Sequence, residues 1–147
     1  MEDLEDRLKV VYAKIDKGRD KIQQEAMIPL HSKSDPQSVE LLREQMSIAE
    51  QQGYYISEWR RALAELAPAY KSYKLSVIKD DEGYAKLNAA EKTIRLEAET
   101  AVLDSYAEYL DRTEELIKRR CSLGQTFLKS INNELSGKVV PMGGSYK

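Results

Sequence analysis

The chain has 147 residues, 33% of them charged and 41% hydrophobic, and a net charge of −2. That length suits one domain with a modest core, and no overall positive field marks the chain as a general binder of polyanions, so a nucleic-acid role needs a local basic patch. Cys121 is the only cysteine, which excludes an intrachain disulfide and fits a reducing compartment. The opening MEDLEDRLKV lacks the basic start and apolar core of a secretory leader, and no apolar run approaches the about 20 residues that a membrane helix needs. A cytoplasmic protein without a membrane partner is expected.

Residues 1–27 read as an N-terminal amphipathic helix. Leu4, Leu8, Val11, Ile15 and Ile22 follow steps of four and three, with Gly18 in the remaining seam position. Gly18 weakens such a helix by roughly 1 kcal/mol relative to Ala. The seam is too thin to fold alone and must pack on something. Residues 28–38, IPLHSKSDPQS, carry two prolines and form a loop, with Ser34 or Asp35 as N-cap of the next helix.

Residues 39–136 read as a single helical domain. Val39, Leu42, Met46, Ala49, Ile56, Trp59, Leu63 and Leu66 keep helical spacing, and Pro68 ends or kinks that helix. The segment AYKSYKLSVIK continues as helix, and KDDEG at residues 79–83 is a turn. From about Tyr84 to Leu135 there is no proline and one glycine. Leu87, Ile94 and Ala101 recur every seven residues, and a stripe follows from Tyr106 through Leu110, Thr113, Ile117, Cys121, Gly124, Leu128, Ile131 and Leu135. One helix of this length would run roughly 75 Å. That implies an elongated coiled coil, an assembly, or a break, for which Gly124 is the candidate. Residues 137–147, GKVVPMGGSYK, read as a flexible tail.

The expected fold is therefore all-α: an elongated helical hairpin or coiled-coil-like bundle with a long C-terminal helix. Its assembly into a homo-oligomer would run through Leu110, Ile117, Leu128, Ile131 and Leu135.

Catalytic constellations are missing. His31 is the only histidine and lies far along the chain from Cys121. Structural zinc takes four Cys or His ligands, so no metal site is expected. There is no phosphate loop and no GxGxxG. The acidic residues alternate with lysines at helical spacing, as on an ordinary solvated face. No enzyme activity and no cofactor are expected.

The stretch GYYISEWRRALAELAPAYKSYK, residues 53–74, carries the other signal. Trp59 shares a helix side with Ile56, Leu63 and Leu66, so burial is its default. Arg60 and Arg61 point away from that side. Lys71 and Lys74 are neighbours on one face, and Tyr70 and Tyr73 form the adjacent stripe. Cations interleaved with aromatics suit single-stranded nucleic acid: the cations neutralise phosphate, and an aromatic face stacks on any base. Otherwise the tyrosines seal the kink and the lysines are solvated. A second cluster is Lys118, Arg119 and Arg120, with Lys129 further on, which either pairs with Glu114 and Glu115 or meets a ligand. In a ring of subunits such patches would repeat and act together by multivalency.

The order of parts resembles a family. A short N-terminal helix precedes YYISEW, then come AYKSYK, the acidic turn DDEGY, and the helix EKTIRLEAETAVLDSYAEYLDRTEELIKRRCSLGQTFLKSINNEL. This layout, over residues 40 to 137, is similar to the phage recombination mediator proteins of the UvsY type. The resemblance implies a small helical protein without catalysis, present in the host cell cytoplasm and oligomeric through its C-terminal helices. It would bind single-stranded DNA and help load a RecA-like recombinase while single-strand-binding protein is displaced. The family's basic segment on the middle helix would match Lys71 and Lys74, with Arg60 and Arg61 nearby. Here that segment carries Pro68 and is less basic, and the first 40 residues have no counterpart. The contrasting expectation is a coiled-coil interaction protein, an adaptor or an inhibitor of another protein, with no nucleic acid.

Overall fold

The computed structural model describes residues 2–139, with side chains from residue 3 to 136. The chain is all-α. Helices α1 (Glu2–Met27), α2 (Pro36–Lys79), α3 (Ala89–Glu99) and α4 (Ala101–Val139) follow in order, with a 3-10 turn at Tyr84–Lys86. Of the tail expected at 137–147, residues 137–139 continue α4, and the remainder lies outside the described residues. Among the described residues no helix is long and apolar enough to cross a membrane. The helices contribute to two compact units, one built from the described residues up to Asp20 and from Ile56–Thr113, the other from Lys21–Tyr55 and the described residues from Glu114 onward.

In the first unit the α1 seam is the core. Leu4, Leu8, Val11 and Ile15 are buried, as are Ile56, Leu63, Leu66 and Ile78 of α2 and Leu103 and Leu110 of α4. Each such aliphatic side chain contributes roughly 1.5–3 kcal/mol by leaving water. Tyrosines extend this core. Tyr12 stacks on Tyr106 with ring centroids 4.3 Å apart. The Tyr106 hydroxyl donates to both oxygens of Asp16, at 2.9 and 2.8 Å. Burial, then the neighbouring Tyr70, Tyr106 and Asp104, pushes the Tyr12 phenol up to about 12.

Gly18 explains itself through a close approach. A Cβ there would lie 2.6 Å from the outer ring of Trp59. The glycine that weakens α1 thus makes room for the indole, which is half-buried, not fully sunk as its helix side suggested.

Three expectations for the long helices need correction. Pro68, expected to end or kink α2, does not end it: the helix runs on to Lys79. Proline leaves the carbonyl four residues back without its helical donor, and here that residue, Ala64, is exposed, so water can take the place. Gly124 lies inside α4, and the interruption sits instead at Thr100 between α3 and α4. Its hydroxyl donates to the Leu96 carbonyl at 3.1 Å, a local competitor for helical bonding. Finally, the seven-residue recurrence of Leu87, Ile94 and Ala101 is no core stripe: Ile94 is 65% exposed and α3 buries no residue. Helix α3 is held by its ends and its neighbours. Asn88 and Glu91 form a reciprocal capping box at 2.8 and 3.3 Å, and Arg95 donates to Asp81. The turn before it needs Gly83, whose φ of 87° is the left-handed region.

The second unit is a smaller core of Ile22, Leu42, Met46, Ala49, Ile117 and Ile131. Leu30, Val39, Phe127 and Leu128 pack around Leu42, Met46 and Ile131. Helix α2 starts with Asp35 as N-cap, its carboxylate accepting from the Ser38 N–H at 3.0 Å, and with Pro36 as first helical residue. The hydrogen bonds from Ser38 hold the Asp35 carboxyl below its usual value. Gln45 pins the loop, donating to the Pro29 carbonyl at 2.9 Å and accepting from the His31 N–H at 3.0 Å.

Candidate nucleic-acid interface

The basic-aromatic segment of α2 lies in the first unit, and each of its cations meets a carboxylate. Arg60 pairs with Asp111 at 2.8 Å and Lys71 with Asp104 at 3.1 Å. Both acids stand on α4, across a groove of about 190 Å³ floored by Leu63, Leu103 and Leu110. Lys74 is the most enclosed, with its side chain 20% exposed; its ammonium lies 3.9 Å from Glu5 and over the rings of Tyr70 and Tyr73 at 5.6 and 5.9 Å. Arg61 is exposed and 3.9 Å from Glu58, one turn away on the same helix. Tyr70 and Tyr73 are half-buried. In this chain the segment works as mortar: its tyrosines are half-buried, Arg60, Lys71 and Lys74 balance acids of α4 and α1, and Arg61 lies near an acid of α2 itself.

The assembly seam meets a similar fate. Leu110 is buried in the first unit, Ile117 and Ile131 in the second, and Leu128 packs against the second core. These side chains are covered by this chain's own helices because α1 and α2 supply the apolar partners that the stripe needs. Only Leu135 remains exposed.

The three-cation cluster on α4 splits. The Arg120 guanidinium donates to the Ala26 carbonyl at 3.3 Å, so it satisfies the last turn of α1. Lys118 pairs with Glu114 at 3.0 Å within the helix, and Arg119 is exposed. The Cys121 thiol is pushed up by burial and by the Glu50 carboxylate, against Arg120, and so is kept protonated.

The sequence reading singled out Lys118, Arg119 and Lys129 but missed the polar row in which they stand. Lys118, Ser122, Gln125, Lys129, Asn132 and Ser136 recur at steps of four and three along α4, and all are exposed. Arg119, Thr126 and Asn133 flank them, exposed as well. No carboxylate occurs between Glu115 and Glu134, and Glu134 accepts from Ser34 at 3.3 Å, which places it toward the loop. The signal was available as a stretch of amides, hydroxyls and cations without an acid. It was hidden because the apolar stripe of the same helix drew the reading.

The row has an orientation. Gly53 of α2 faces Ile117 at 3.5 Å, Gly124 faces Met46, and Leu42 clusters with Ile131, so α2 and α4 run antiparallel in this unit. Arg120 turns to α1, and Lys118 lies roughly 160° around α4 from it. The row therefore looks away from α1. Chemically it is a strip of cations, amides and hydroxyls, suited to phosphates and sugars. Among the described residues no three His, Cys, Asp or Glu side chains converge to hold a metal ion.

Comparison with protein-family models, with curated proteins and with solved structures finds no match.

Proposed function

We propose that this chain is a non-catalytic binder of single-stranded DNA that acts as a recombination mediator, helping a RecA-like recombinase to displace single-strand-binding protein in the host cytoplasm. The observation that carries DNA binding is the row on α4, with Lys118, Arg119 and Lys129 among hydroxyls and amides and no acid between Glu115 and Glu134. The mediator role rests on the UvsY-type layout. A chain of net charge −2 can hold a polyanion only where cations locally outnumber carboxylates, and this row is such a place.

The test is anisotropy of a labelled oligothymidine titrated with salt. Three neutralised phosphates on a single strand give a log–log slope near −2, at about 0.7 per phosphate. Lys118→Ala combined with Lys129→Ala should flatten it. Absence of binding at low salt and micromolar protein would overturn the reading. Loading is then scored as faster recombinase ATP hydrolysis on strands coated with single-strand-binding protein.

A second reading has its own observation. Leu116 and Leu123 lie seven residues apart on α4, and both are about half exposed. They favour an interaction protein, adaptor or inhibitor, docking by helix faces. That reading expects no oligothymidine binding and loss of partner capture on Leu116→Lys.

A further inference from the structure

Tyr54 sits one residue after Gly53, and Lys118 one residue after Ile117. Gly53 and Ile117 face each other across antiparallel helices. Advancing one residue turns each side chain by about 100°, and in an antiparallel pair both turns lead to the same side. The rest of α2 agrees. Gln45, which holds the loop after α1, lies roughly 180° around the helix from Tyr54. Tyr54 therefore joins the α4 row on the side away from α1. Its exposure is 63%, against 47% for Tyr55, the other exposed tyrosine among the described residues. Tyr55 stands edge to face against it at 5.8 Å, which props the ring. An open phenol ring beside a cationic strip has no role in the core.

We propose that Tyr54 is a base-stacking residue, so that this face of the second unit holds a single strand in preference to a duplex. The inference rests on the DNA-binding reading above and adds what recognises the bases. The cations take the phosphates, and the ring takes one base face. A duplex hides its base faces within its own stack and can use only the cations. Stacking is tolerant of base identity, so the preference is for single strands and not for a sequence. Glu50, four residues before Tyr54 on the same side of α2, is the carboxylate that a strand would meet there, beside Cys121.

The experiment compares three labelled ligands of equal length with the full chain: oligothymidine, an abasic deoxyribose-phosphate strand, and a duplex. Wild type should bind oligothymidine roughly tenfold more tightly than the abasic strand. Tyr54→Ala should erase that preference, Tyr54→Phe should keep it, and neither should change abasic-strand binding. Glu50→Gln should tighten all three. Equal binding of oligothymidine and abasic strand by wild type, a preference that survives Tyr54→Ala, or a duplex bound as tightly as the single strand would overturn the stacking role and leave phosphate binding standing. No binding of any ligand would overturn both. Tyr54 is exposed, and an unchanged far-ultraviolet melt of Tyr54→Ala establishes that the fold is intact.

Discussion

Gly18→Ala sets helix propensity against packing in a way that the structure decides. In an exposed helix interior this change stabilises by about 1 kcal/mol. Here the new Cβ would meet the Trp59 ring carbon Cη2 at 2.6 Å, with the flanking ring carbons at 3.4 and 3.5 Å. Carbon atoms rest at about 3.5–4.0 Å, so the rigid indole must withdraw by roughly 1 Å. Overpacking of that kind costs about 1–3 kcal/mol, so the net expectation is a loss of about 1 kcal/mol. Trp59 is the only tryptophan, so urea unfolding followed by its emission reads the site directly. With a slope of about 1–3 kcal/mol per molar, the midpoint should fall by roughly half a molar. The control is the same change in a Trp59→Leu background, followed by circular dichroism. With the ring gone, Gly18→Ala should stabilise by the full propensity gain. Stabilisation of equal size in both backgrounds would refute the claim that the glycine exists for the indole.

Two further outcomes follow from local bonds. Asn88→Ala removes one arm of the capping box and should lower the stability of α3 by about 1 kcal/mol, seen as faster amide exchange at Glu91 and Lys92, while the cores of both units keep their protection. Alkali should act through Tyr12: its folded phenol is raised to about 12 from an ordinary 10, so the stabilisation is fully present below pH 10 and is lost as pH rises toward 12. Tyr12→Phe should flatten that alkaline loss in denaturation midpoints measured across the window, and an unchanged loss would assign it elsewhere.

The helices were legible because their apolar steps are regular. The seam from Leu4 to Ile22 and the buried positions from Leu42 to Leu66 lie where periodicity puts them. What periodicity cannot weigh is a single residue against its surroundings. Pro68 looks like a terminator, yet the packed residues on either side, Leu66 and Ile78, hold the helix through it. Ile94 keeps a heptad step with Leu87 but finds nothing to pack against. The candidate site was less legible for a related reason. A cation's value depends on its neighbours in space, and Asp104 and Asp111 are more than thirty residues from Lys71 and Arg60 in the chain.

That dependence yields a last prediction. Exposed ion pairs contribute at most about 1 kcal/mol, so pairing alone does not bar a phosphate from Arg60 or Lys71. The obstacle is the carboxylate that stays behind. A phosphate docking on either cation would stand about as close to Asp111 or Asp104 as to the cation, and repulsion of about 1 kcal/mol at 4 Å in water cancels the attraction. On the α4 face the acids that could play that part are Glu114 and Glu115, one turn before Lys118 and Arg119, and Glu50 of α2, while Lys129 has no carboxylate within a turn on its own helix. Asp104→Asn with Asp111→Asn should therefore turn the α2 segment into the phosphate site that its sequence suggests. Oligothymidine affinity should rise, and the salt slope should steepen by about 1.4 as two more phosphates are neutralised. A slope unchanged in the double variant, with the fold intact by circular dichroism, would mean that geometry and not charge balance keeps DNA from this segment.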